Sequence, residues 1–128
     1  MKPVIITILD QEHQRKDWFY DFDGSSFFAA MDKLTGELAP LGICLEIRRN
    51  REVVITVNSY ADLLNCVKVS SPNDNHHNRC VGHIIGKSEH LDIVEDITRA
   101  IRRIAFAPET IAPDAAFRKV CHNCGCGC

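Results

Sequence analysis

Val4-Ile5-Ile6-Thr7-Ile8-Leu9 is a continuous apolar run rich in β-branched side chains. A run without polar alternation predicts a strand buried on both faces, and such strands sit in sheets covered by helices. Residues 10–23 follow. They are polar with an aromatic insert, Trp18, Phe19, Tyr20 and Phe22. They read as a long loop whose aromatics cap the edge of the core. Asp23-Gly24-Ser25-Ser26 then offers helix N-caps. Phe27, Met31, Leu34 and Leu38 recur at helical spacing and stop before Pro40 and Gly42. Ile43, Leu45 and Ile47 alternate with Cys44, Glu46 and Arg48, the pattern of a half-buried strand. Strand, helix, strand in that order requires a right-handed crossover and a parallel pair. The predicted fold class is therefore α/β.

Further along, Arg49-Asn50-Arg51 reads as a short turn and residues 53–57 as a third strand, hairpin-paired with the second. Asn58 and Ser59 cap a short helical piece over residues 60–65, and Val67-Lys68-Val69 is a brief extended segment. Residues 70–79, with Pro72, three asparagines and an aspartate, read as a loop. Residues 80–85 read as a fourth strand, turned at Gly86. Ser88 then caps the most regular helix of the chain. Leu91, Val94, Ile97, Ile101 and Ile104 share one face, acids occupy its first turn, and Arg99, Arg102 and Arg103 lie toward its end. Pro108 stops it. The division expected is an α/β domain over residues 1–107 and a linker with a cysteine-rich tail over residues 108–128.

Val81-Gly82-His83-Ile84-Ile85-Gly86, followed by an amphipathic helix over residues 91–105, resembles the end of the thioredoxin fold. By element order over residues 4–105 the chain is similar to small cysteine-rich proteins of the thioredoxin-like superfamily. The resemblance implies a mixed four-stranded sheet with two main helices. The family's C-x-x-C after the first strand does not carry over, because residues 10–26 hold no cysteine. Nor does its proline before the third strand, since Arg49-Asn50-Arg51-Glu52 precede Val53. The alternative arrangement is a ferredoxin-like α+β domain, which needs a last strand within residues 108–120.

Chemistry-bearing residues concentrate at the C-terminus. Cys121-His122-Asn123-Cys124-Gly125-Cys126-Gly127-Cys128 holds four of the seven cysteines. Its glycines let the backbone curl and turn sulfurs inward. Thiolates are soft-metal ligands. Cys121, Cys124, Cys126 and Cys128, or three of them with His122, suit tetrahedral zinc, and the C-x-C steps suit sulfur-bridged Cu(I). Iron–sulfur ligation fits this spacing less well. A second group, His76, His77 and Cys80, supplies imidazole and thiolate toward which the tail could fold.

The expected function is soft-metal binding with Zn or Cu(I), for buffering, delivery or sensing. One alternative is a thiol–disulfide oxidoreductase or electron shuttle, with Cys121 and Cys124 exchanging with a partner protein's thiol or disulfide. Another is a non-catalytic interaction domain docking through Trp18, Phe19 and Tyr20. The phosphate-loop, dinucleotide and nucleophile-elbow motifs are absent from the sequence, so binding rather than catalysis is expected. Cys44 and Cys66, beside apolar neighbours, read as core. His13 and His90 read as surface. Glu12, Asp17, Asp21 and Asp23 read as a loose acidic group around the first helix start.

The 128 residues are one domain's length, with 45% apolar and 25% charged residues. A formal net charge of −2 gives no electrostatic reason to expect nucleic acid. No apolar run approaches the roughly 18 to 20 residues that a membrane span needs. The first run is short, β-branched and followed by charge, unlike a signal peptide. A cytoplasmic protein with reduced thiols is the expectation.

Overall fold

The computed structural model describes residues 2–13 and 18–111. Its elements are β1 (Lys2–His13), α1 (Ser25–Leu38), β2 (Ile43–Val57), α2 (Tyr60–Leu64), β3 (Val67–Ser71), β4 (His76–Cys80), α3 (Val81–Ile85) and α4 (Ile93–Phe106). The strands form one mixed sheet in the order β2-β1-β3-β4. β1 and β2 run parallel, as the β1-α1-β2 connection demands. β3 runs antiparallel to both β1 and β4. The protein is thus mixed α/β with a four-stranded sheet and, among the described residues, four α-helices.

The core lies on one side of β1. Val4, Ile6 and Ile8 are 0%, 0% and 1% exposed, while Ile5 and Thr7 between them are only half-buried. The expectation of a strand buried on both faces is corrected accordingly. Phe27, Met31, Leu34 and Leu38 of α1 join Ile97, Ile101 and Ile104 of α4 in the same cluster as Val4, Ile6 and Ile8. Full burial of a side chain of this size stabilises by roughly 1.5–3 kcal/mol before entropy is counted. Past Pro108 the chain keeps packing, since Ile111 also joins this cluster.

α1 ends in a 3-10 turn at Ala39–Leu41, and Gly42, in the left-handed region at φ 77°, turns the chain into β2. α4 begins at Asp92, whose carboxylate accepts from the backbone of Val94 at 3.1 Å and Glu95 at 3.2 Å. Glu95 and Asp96 sit in the first turn and Arg103 in the last, complementing the helix dipole. Asp92→Ala is therefore expected to destabilise the protein by about 1 kcal/mol, and Asp92→Asn by much less. Equal urea midpoints for Asp92→Ala and the parent would refute the capping role.

Further sequence expectations are corrected. β2 is one strand of 15 residues, not two strands in a hairpin. Arg49-Asn50-Arg51 continues beside β1, and residues 51–53 form an irregularity between Asn50, opposite Leu9, and Val54, opposite Asp10. A two-residue hairpin turn needs a left-handed backbone, and no residue of this stretch adopts one. β1 accordingly runs on to His13, because Val54 to Val57 remain alongside to pair with it. The loop expected at residues 70–79 is mostly a hairpin. β3 ends at Ser71, Pro72–Asp74 is a 3-10 turn, and Asn75 takes a left-handed φ of 63° to enter β4.

The fourth strand stops at Cys80, opposite Lys68. β3 begins at Val67, so little partner strand remains beyond that point. Residues 81–85 become α3 and pack on α4. Leu91, expected on the buried face of the last helix, precedes it with a φ of 51° and is 55% exposed. Ser88 receives a hydrogen bond from Leu91 instead of capping that helix. No helix among the described residues is long and apolar enough to cross a membrane.

Candidate functional site

The expected tail ligands Cys121, His122, Cys124, Cys126 and Cys128 lie outside the described residues. The companion group does not gather into a ligand set. His76 and His77 are neighbours on β4, where side chains alternate between faces. His76 is buried and His77 exposed. His76 Nδ1 accepts from Arg79 Nε at 2.9 Å, and Nε2 lies 2.8 Å from the Pro108 carbonyl. An accepting Nδ1 leaves the proton on Nε2, which donates to that carbonyl. Both ring nitrogens are therefore engaged, Nδ1 with Arg79 on β4 itself and Nε2 in holding Pro108, after α4, against β4. Cys80 is 2% exposed, with the Lys68 ammonium 3.1 Å from its sulfur. Among the described residues, no three His, Cys, Asp or Glu side chains converge as metal ligands would.

Two further cysteines divide. Cys66 is fully buried, and burial pushes its thiol up to about 12, with the Lys68 charge pulling the other way. Cys44, expected in the core, is exposed. Cys44 pairs with Pro3, one residue out of step with Val4 and Ile6, and so lies on the less covered face of the sheet.

The described residues also form a polar cleft of about 300 Å3 at the C-terminal part of β1, beside the middle of β2. Gln11 and His13 come from β1, Arg49 and Arg51 from β2, and Asp21 and Asp23 from the approach to α1. Arg49 donates to Asp23 at 2.6 Å and to the Phe22 carbonyl at 2.7 Å, tying β2 to that approach. Gln11 Nε2 donates to the Tyr20 carbonyl at 2.9 Å, which fixes the amide. Gln11 Oε1 and His13 Nε2 are buried and have no hydrogen-bond partner among the described residues. This arrangement can hydrogen-bond a small polar molecule. Of the acidic group expected here, Asp21 and Asp23 line the cleft and Asp17 lies outside the described residues. Asp10, Gln11, His13, Arg49 and Arg51 were not expected, because only the parallel register brings them together.

The aromatic insert mostly faces inward. Trp18 stands edge-on to Tyr60 at 5.7 Å, and Tyr20 to Phe22 at 4.9 Å. Phe19, 60% exposed, is the exception. Behind Trp18, the Tyr60 hydroxyl donates to Asp96, which is 1% exposed and also lies 3.4 Å from Arg99. Burial first, then the bond to Asp96, pushes the Tyr60 phenol far above its ordinary range. The pair satisfies a buried carboxylate and reads as structural.

No protein-family model matches this chain, and neither does any curated protein or solved structure.

Proposed function

We propose that the protein binds a soft metal ion, Zn(II) or Cu(I), through Cys121, Cys124, Cys126 and Cys128, with His122 available as a nitrogen ligand. The observation that carries this reading is the density of sulfur, four thiols in the last eight residues. The domain that bears them is thioredoxin-like in this reading. Support comes from the sheet order β2-β1-β3-β4, the parallel β1-α1-β2 unit, the antiparallel β3-β4 hairpin and the closing helix. The domain's own thiols are poor candidates for the chemistry. Residues 10–26 hold no cysteine. Cys66, immediately before β3, is buried and resists ionisation. A cytoplasmic setting, where the thiols stay reduced, goes with this function.

Titrating the reduced full chain with Zn(II) and with Cu(I) is expected to show tight binding. A chain lacking residues 121–128 is expected to lose it. Unchanged binding after the truncation overturns the proposal. A reversible Cys121–Cys124 disulfide in a metal-free chain that binds neither ion would favour the oxidoreductase reading instead.

A further inference from the structure

β2 lies at one edge of the sheet and, at 15 residues, is the longest strand among the described residues. One side of it pairs with β1, and among the described residues no strand lies on the other. An open edge of this length is a template for another strand. We propose that β2 pairs antiparallel with β2 of a second copy of this chain, about a two-fold axis at Ile47.

The register follows from geometry and charge. The ladder between β1 and β2 is regular from Ile43 to Asn50 and breaks beyond it, so a second β2 can pair continuously only there. A two-fold normal to the sheet keeps the helix-covered faces on one side. Residues opposite one another must then face the same way, so the axis passes through a residue. An axis at Glu46 sets two carboxylates opposite each other, and one at Arg48 or Arg49 sets two guanidiniums opposite each other. Like charges directly opposite are destabilising.

An axis at Ile47 does the reverse. It places Glu46 opposite Arg48 of the second copy, twice, and pairs residues 44–50 over about 24 Å at ~3.4 Å per residue. Glu46 and Arg48 already touch within one strand at 3.1 Å, both largely solvent-exposed. Pairing closes four charges of alternating sign into a ring.

Sedimentation equilibrium of the reduced full chain, with a chelator present, tests this. The parent is expected to dimerise. Glu46→Arg and Arg48→Glu are each expected to weaken the dimer by roughly tenfold or more, because each creates two like-charge pairs. The double variant E46R/R48E is expected to recover it, since the swap restores both pairs. Circular dichroism confirms that each variant is folded. A parent that remains monomeric up to ~1 mM, single reversals without effect, or a double variant no better than either single one would overturn the proposal.

Discussion

Iodoacetamide near pH 8 is expected to label Cys44 readily and leave Cys66 essentially unmodified in the native protein. Cys44 is exposed on β2. Cys66 is 0% exposed, and burial raises its thiol from 9.0 to about 12. At that pH the buried sulfur carries about a thousandfold less thiolate than a free one. The same shift links stability to alkali. The folded chain keeps a proton that the unfolded chain releases near pH 9, so the contribution of the buried thiol is complete below that pH. It is then lost as pH climbs toward 12, at about 1.4 kcal/mol per pH unit. Mass spectrometry of the alkylated peptides and urea midpoints on either side of pH 9 check both parts. Equal labelling of the two residues would show that the site opens freely. Cys66→Ala is expected to flatten the alkaline decline, at the expense of a small cavity.

Phe27→Ala is expected to destabilise the protein by about 3–5 kcal/mol, whereas Phe28→Ala next to it should change stability by about 1 kcal/mol or less. The two side chains are one residue apart and differ in environment. Phe27 is 0% exposed and stands edge-on to Phe22 at 5.3 Å and Tyr20 at 6.2 Å. Phe28 is 43% exposed. The loss at Phe27 combines hydrophobic transfer with a cavity that α1 cannot close while Met31 and Leu34 hold it against the sheet. Denaturant unfolding of the two variants measures the contrast directly. Similar midpoints would mean that α1 is rotated from the orientation described.

The parts of the fold that the sequence announces are those with an internal rhythm. Phe27, Met31, Leu34 and Leu38 mark α1, and Ile97, Ile101 and Ile104 mark α4, because each set makes one apolar stripe. The parallel β1–β2 pair follows from the helix between the strands. What stays hidden depends on a distant partner. His76-His77-Asn78-Arg79-Cys80 has no strand-like alternation and is extended because β3 lies alongside. Val81-Gly82-His83-Ile84-Ile85 is apolar enough for strand or helix, and packing against α4 decides it. Site residues divide in the same way. The thiol tail is legible as composition, while the Gln11–His13–Arg49 cleft is assembled from segments some forty residues apart. Nothing local reveals that His76 would turn inward, since its partners are Arg79 and a carbonyl after α4.

The irregularity in β2 has a consequence of parity. Three residues, 51–53, have no counterpart on β1. Three is odd, so odd-numbered residues of β2 pair with even-numbered residues of β1 before the break and with odd-numbered ones after it. Before the break Leu45 and Ile47 stand opposite Val4 and Ile6; after it Ile55 and Val57 stand opposite Gln11 and His13. Ile55 and Val57 nevertheless pack on the same cluster as Leu45 and Ile47, so the interruption changes which β1 residues they meet and not the core they serve. An insertion or loss of two residues within it would keep that arrangement, while a change of one would turn Ile55 and Val57 away from the cluster.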